Sequence, residues 1–389
     1  MALNHSPSIV TNGLVYYHDM GNTQKSWKGA PTTNVVSGVF DTTFESLANG
    51  DTAGFSNQLG PGSYLGVSSF RSYFGTKSLI VNRGVLGAST GRVYRTFSVA
   101  LGEYSSVSAW VYSNLAGAYI TVEYNGGDYA WAVNQTRNTH TGTGWELLWM
   151  RTTGTATSAT TGYFFLYPGN DNTDTYWDNI QVEKTQYRTP YINGTRSNTQ
   201  SIVDLTGNNT VTVNSLTYES DGTFSFNGSS NNLTIPGTAI PSGSQLTFSV
   251  WNYGVLAQAS SVIEAKDSGS VRTLNVHLPW SNSTVYFDCG GDRISKLVTN
   301  AEYQGWHHWC FTKNAATGYQ AIYLDGQLWF SGAASTGVIN VTTIARIGSY
   351  TDNTTFHNGK IASVSLYNRA LSDVEVLQNF NALKGRYGL

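Results

Sequence analysis

Charge is scarce in this chain. Lys, Arg, Asp and Glu make up 12% of its 389 residues, about half of the roughly 25% usual for soluble globular proteins. A net charge of −2 and the lack of any Lys/Arg cluster leave no field to gather phosphate, so no nucleic acid is expected as a partner. Cysteine is scarcer still. Only Cys289 and Cys310 could pair, which excludes a disulfide scaffold. No apolar run approaches the roughly 20 residues of a membrane span, and no membrane insertion is expected. The opening MALNHSPSIV has neither a basic region nor a hydrophobic run, and it reads as no signal peptide. The sequons at Asn134, Asn193, Asn227, Asn232, Asn282 and Asn340 are then expected to reflect Asn/Thr richness rather than glycosylation.

Glycine (41 residues), Asn, Ser, Thr and aromatics (13%, with 24 Tyr and 11 Trp) fill the space that charge leaves. That mixture suits strands built from Thr, Val and Tyr, with Gly and Asn at the turns. Alternating runs such as YSSVSAWVYSN (104–114), QLTFSVWNYG (245–254) and YQAIYLDGQLWF (319–330) recur along the chain. In the last, Asp325-Gly326 predicts a hairpin with a type I′ turn. One helix is expected, at LSDVEVLQNFNALKG, where Ser372 and Glu375 form a capping box and Val376, Phe380 and Leu383 recur at helical spacing.

The fold class is therefore all-β, with one short C-terminal helix. A weak repeat sharpens it: Ser108–Tyr112 and Ser249–Tyr253 share the pattern S-x-W-x-Y, and each is followed by a Gly-Trp pair, at 144–145 and 305–306. Two β-sandwiches of similar plan are the simplest architecture.

GWHHWC (305–310) has the composition of a reactive centre. As a strand it sends His307 and His308 to opposite faces, so they do not close on one ion. His308 and Cys310 share a face, but aromatic surroundings would raise the thiol pKa and make it inert. A structural strand is the expectation.

Residues 221–389 resemble a laminin-G/concanavalin A-like lectin domain. The resemblance rests on FSFNGSSNNLTIP (224–236), FSVWNYG (248–254), GWHHWCFT (305–312), IYLDGQLW (322–329), RIGSY (346–350) and NGKIASVSLYNRALSDVEV (358–376), in that order. Residues 34–196 resemble a jelly-roll carbohydrate-binding module. Its closing stretch YWDNIQVEKTQYRTPYINGTRS (176–197) and the chain's ending NALKGRYGL are similar to structural proteins of large tailed phages. NGLVYYHDMGNTQKSWKG (12–29) resembles the first strand of the lectin-like domain in such proteins. The resemblance thus implies that residues 1–33 give the first strand of the lectin-like sandwich, that 34–196 are an inserted jelly roll, and that 197–389 complete the sandwich, discontinuous with 1–33.

Glycosidases on the concanavalin A-like fold carry Glu-x-Asp-x-x-Glu on one strand, and hydrolysis needs two carboxylates flanking the bond. That spacing does not occur in this sequence, so no enzyme and no catalytic residue is expected. Glycan binding asks for exposed rings and amides. Candidate carbohydrate-binding residues are Trp110 and Tyr112, Tyr129 and Trp131, Trp177 (expected on a polar face with Asn179 and Gln181), and Tyr350, which follows the RIGS strand at the lectin-like rim; Trp280 and Asp352 also lie in loop-like stretches of that domain. The alternative for each ring is core or interface packing. Asp171, Asp174 and Asp178 cluster ahead of the last module strand. They form either a solvated Asx-turn loop or a Ca²⁺ site using Asp178.

The resemblance implies a bacteriophage virion surface protein, made in the host cytoplasm and decorating capsid, neck or tail or serving as a short fibre. Other virion proteins, copies of itself in a homo-oligomer, and host-surface glycans bound weakly and multivalently are the expected partners. A purely architectural decoration protein and a secreted polysaccharide-binding protein are the alternatives.

Overall fold

In a computed structural model the described residues are 8–22, 25–85, 91–124, 138–152, 154–185, 188–219, 223–255 and 257–389. The chain divides into two compact units, Met1–Pro31 with Ser197–Leu389, and Thr32–Arg196. Both are β-sandwiches.

In the first unit an eight-stranded sheet runs Thr217–Tyr218, Phe224–Asn227, Asn358–Tyr367, Gln245–Gly254, Gly305–Asn314, Tyr319–Leu324, Gln327–Gly332, and Leu14–Asp19 also pairs with Asn358–Tyr367. Facing it, a seven-stranded sheet runs Thr212–Asn214, Asn232–Pro236, Ile344–Ile347, Ile263–Lys266, Arg272–His277, Thr284–Cys289, Asp292–Leu297. Strand alternation decides the core. Phe248, Val250, Trp309 and Phe311 of the first sheet meet Leu274, Val276, Val285 and Phe287 of the second.

The opposite face of the eight-stranded sheet carries Cys310, Tyr323 and Tyr367, which pack with Leu371 and Val376. Leu371 and Val376 belong to the helix Asp373–Leu383 and its approach. GWHHWC is thus a strand between two apolar layers. Burial drives the Cys310 thiol far above its ordinary pKa and lowers His308 to about 4. His308 Nε2 meets Ser249 Oγ at 2.7 Å. Neither group is placed to react.

The hairpin at Asp325-Gly326 has φ of 49° and 79° at its two central residues, as a type I′ turn requires. The expected capping box forms: the Glu375 carboxylate accepts from the Ser372 N–H and hydroxyl, both at 3.0 Å. Arg369 grips the same carboxylate at 2.6 and 2.8 Å and holds its pKa down to about 2. One further helical turn, Asn300–Tyr303, is capped by Thr299 and Glu302. The sequence reading did not name it, because four residues show no periodicity.

In the second unit a four-stranded sheet, Ser56–Gln58, Arg92–Val99, Thr160–Tyr167, Tyr119–Tyr124, faces a five-stranded one, Tyr64–Ser68, Ser78–Asn82, Asp174–Glu183, Ser106–Ser113, Gly144–Arg151. Here one expectation is corrected. Simple alternation from 176 to 184 puts Trp177 on the polar face with Asn179 and Gln181. Instead the pairing with Ser106–Ser113 slips between Asp178 and Gln181, and Asn179 takes φ of 50°. This β-bulge inserts one residue and reverses the phase. Trp177 therefore joins Ile180 and Val182 in the core, fully buried, with its indole N–H on Thr175 Oγ1 at 2.9 Å. No ring face remains for a sugar.

The bulge also sets Asp178. Its carboxylate accepts the backbone N–H groups of Tyr73 (2.8 Å), Phe74 (3.0 Å) and Asn179 (2.7 Å). Asp171 pairs with Arg83 and Asp174 with Asn82, each at 2.8 Å. The three aspartates do not converge, and among the described residues no group of three or more His, Cys, Asp and Glu could hold a metal. Asp178 acts as a clamp on the 69–77 loop.

Two outcomes are expected. Ser372→Ala removes one half of the capping box and lowers the stability of the first unit by about 1 kcal/mol, seen as a lower denaturant midpoint with unchanged slope. At Asp178, burial raises the pKa to about 6 against the pull of its three N–H bonds. A raised folded-state pKa means that the folded chain holds the proton more tightly. The associated stability is complete below the ordinary carboxylate range and is lost as pH rises through about 6. Unfolding of the wild type, compared with Asp178→Asn, should lose no more than about 3 kcal/mol between pH 4 and pH 7. A pH-independent difference between the two would contradict this.

Candidate functional site

Outward-facing residues of the seven-stranded sheet build a cleft of about 220 Å³, lined by Arg272, His277, Trp280, Asn282, Tyr286, Arg293 and Tyr350. Asn275 and His277 point away from a core that takes Leu274 and Val276, and Tyr286 faces His277 across the ladder. A register shift opposite Ala265/Lys266 brings Arg272 onto the same outer face. The hairpin between these strands closes with the Trp280 N–H on Thr284 O at 2.9 Å and the Ser283 N–H on Trp280 O at 2.9 Å. This tight turn holds Trp280 at the rim.

His277 is the floor. Its Nδ1–H donates to Ser260 O at 2.5 Å, so Nε2 is the acceptor and takes the Asn275 amide at 2.8 Å. Burial lowers its pKa from the ordinary imidazole value. Trp280, Tyr286 and Tyr350 stand steeply to this imidazole, with centroids at 4.5, 5.9 and 5.8 Å and interplanar angles of 71°, 90° and 66°. Asn282 donates to the Tyr286 hydroxyl at 2.9 Å.

Two arginines brace the walls and are themselves neutralised. Arg272 lies 4.4 Å from the Tyr350 centroid and bonds Glu264 at 2.7 Å. Arg293 lies 5.1 Å from the Tyr286 centroid and pairs with Asp288. Glu264 is fully buried, and it also accepts the Thr351 N–H and hydroxyl, each at 2.7 Å, which fixes the loop carrying Tyr350. Glu264 faces Asn275, and Asn275 faces Asp288, so the two carboxylates sit two strands apart. That is about 10 Å, wider than the roughly 5–9.5 Å spanned by glycosidase pairs. The arrangement can hold a ring and bond its hydroxyls.

Of the residues singled out from sequence, Tyr350 and Trp280 meet in this cleft. Asp352 instead closes a turn by accepting the Thr354 N–H (3.1 Å) and hydroxyl (2.6 Å). His277, Tyr286, Arg272 and Arg293 were missed. The polar phase of TLNVH and VYFDC was the available signal for His277 and Tyr286.

In the second unit Trp110 and Tyr112 do face away from the core residues Val107, Ala109 and Val111. Trp110 is not an open platform, however: Tyr73 stacks on it at 3.8 Å and 10°. The loop 69–77 supplies that cover, and it exposes Phe70, Tyr73 and Phe74. Tyr112 borders a second depression of about 300 Å³ with Phe70, Arg71, Asn114, Asp174 and Tyr176. Tyr129 and Trp131 lie outside the described residues.

Among curated proteins, none matches the chain. Solved structures similar to it include the binding domain of botulinum neurotoxin DC in complex with rat synaptotagmin II, at 17% identity over 48% of this chain and 50% of that one, with a TM-score of 0.38. Domain 4 of AbnA, an extracellular GH43 arabinanase from Geobacillus stearothermophilus in complex with arabinotriose, is similar at 18% identity, over 45% of this chain and 91% of that one, with a TM-score of 0.36. A heptameric SAP-like pentraxin from Limulus polyphemus is similar at 17% identity over 39% and 78%, with a TM-score of 0.33. The chain spans about half the length of the neurotoxin binding domain it matches. Residues 226–377, which contain the whole Trp280–Tyr350 cleft, match the Laminin_G_3 model of the concanavalin A-like lectin/glucanases superfamily.

Proposed function

We propose that the chain is a non-catalytic carbohydrate-binding protein, and that its first unit holds a sugar in the Trp280–Tyr350 cleft. The observation that carries this reading is the set of three aromatic rings standing around a buried, hydrogen-bonded His277. Apolar C–H faces of a sugar stack on such rings, while Asn282 and the tyrosine hydroxyl reach its hydroxyls. At about 220 Å³ the cleft falls below the roughly 300–1,000 Å³ of drug-sized sites, which favours one ring over an extended chain. A hydrolytic reading is disfavoured because each nearby carboxylate is committed to an arginine.

A single shallow site binds weakly, so adhesion would come from many linked copies, each raising the effective concentration of the next. The setting we propose is the surface of a tailed-phage particle, where the glycans are those of the host and the partners are other virion proteins. The support is the likeness of 176–197 and of the ending NALKGRYGL to phage structural proteins. A map of an assembled particle containing the chain tests that placement directly.

Glycan-array binding at graded density tests the site. Trp280→Ala should lose about tenfold in apparent affinity, roughly 1.4 kcal/mol, with an unchanged melting temperature. Tyr350→Phe keeps the ring and should stay within about threefold of the wild type. Failure of the wild type to bind at any density would leave the architectural reading in its place.

A further inference from the structure

The second depression, in the unit Thr32–Arg196, differs from the first in its electrostatics. The run Phe70–Phe74 folds over the outer face of the five-stranded sheet and is fixed at several points. Asp178 takes two of its N–H groups, Arg71 O accepts the Ser78 hydroxyl at 2.6 Å, and Glu45 accepts the Thr76 and Lys77 N–H groups at 2.7 Å. With its backbone held, Arg71 lays its guanidinium on the Tyr112 ring, 4.2 Å from the centroid, with Phe70 at 5.3 Å and Tyr176 at 6.0 Å. A guanidinium stacked on a ring keeps its N–H edges free for bidentate bonding.

Arg83, Arg272, Arg293, Arg369 and Arg386 each pair with a carboxylate. Arg71 pairs with none among the described residues. The depression before it also holds Asp174, whose Oδ1 takes the Asn82 amide at 2.8 Å, and Asn114, whose Oδ1 takes the Tyr112 hydroxyl at 2.8 Å.

We propose that this depression binds a carboxylate-bearing sugar of the uronic-acid type. The ligand's carboxylate bonds the free fork of Arg71, its ring packs against Tyr176 and Phe70, and its hydroxyls donate to Asp174 and accept from the Asn114 amide. One cation beside one carboxylate selects a hydroxylated monoanion, whereas a densely sulfated chain meets Asp174 with like charge. The proposal does not rest on the Trp280–Tyr350 cleft, and the two can fail separately.

The test is calorimetric titration of the full chain with a galacturonate oligosaccharide, its carboxyl-reduced neutral counterpart and a sulfated derivative of that counterpart, all of equal length. The wild type and Trp280→Ala should both bind the uronate about tenfold tighter than the neutral chain. Arg71→Gln should abolish that preference, and Arg71→Lys, which keeps the charge without the planar fork, should retain only part of it. Equal binding of acidic and neutral chains, absence of uronate binding, or a preference that survives Arg71→Gln overturns the proposal. Stronger binding of the sulfated chain overturns the carboxylate assignment.

Discussion

The pairing of Leu14–Asp19 with Asn358–Tyr367 is the constraint on which the first unit depends. Asn358–Tyr367 is flanked on one side by Gln245–Gly254. On its other side Phe224–Asn227 reaches only residues 358–361. The chain's early strand takes the rest of that edge, where unpaired N–H and C=O groups would otherwise lie in the middle of a buried sheet. Its contacts spread from there. Asp19, buried, donates its N–H to Ser26 Oγ at 3.0 Å and accepts Arg386 at its carboxylate, while Asp204 accepts the Tyr17 N–H at 2.9 Å. Val10 and Tyr367 meet Asn379 of the terminal helix. Contacts between such distant parts of the sequence form late, since their loop-closure entropy precedes any gain.

Both units use one plan of paired antiparallel strands, and what covers it sets the difference between them. Tyr112 faces Trp145 and Tyr253 faces Trp306, with ring centroids 5.7 and 5.6 Å apart. In each, the tryptophan of S-x-W-x-Y points off the core and is stacked by a tyrosine from elsewhere, Tyr73 on Trp110 at 3.8 Å and Tyr387 on Trp251 at 4.3 Å. The terminal helix closes the face in the first unit, and Trp251 is buried. A loop closes it only in part in the second, leaving Tyr112 and Arg71 at an open depression.

Features governed by nearby residues were legible in the sequence: the all-β class, the Asp325-Gly326 turn, the Ser372/Glu375 cap and the strand at GWHHWC. Each is fixed by a period of two or by a residue within four positions. The bulge at Asp178–Asn179 was not legible, since one extra residue leaves no compositional mark yet inverts every side chain beyond it. That slip alone moved Trp177 from the expected polar face into the core. The cover on Trp110 was hidden for another reason: Tyr73 lies far from it in sequence, and alternation says which face a ring takes but not what sits on it. Trp280 and Tyr350 could be suspected singly. Their meeting over His277 depends on strand order, which one sequence does not reveal.

Scarce charge gives the few ion pairs their meaning. In the Trp280–Tyr350 cleft each arginine is bound to a carboxylate while it lies over a tyrosine, so the pair fixes the ring and leaves little net field. In the function proposed for that cleft, selectivity would come from ring faces and amides, which discriminate sugar shape rather than charge. Arg71 has the same seat on a tyrosine but pairs with no carboxylate among the described residues. Because a charge-assisted, bidentate contact is about twice as strong as a neutral one, the uronate contact proposed at Arg71 would make the second depression sensitive to ligand charge where the contacts proposed for the first would not.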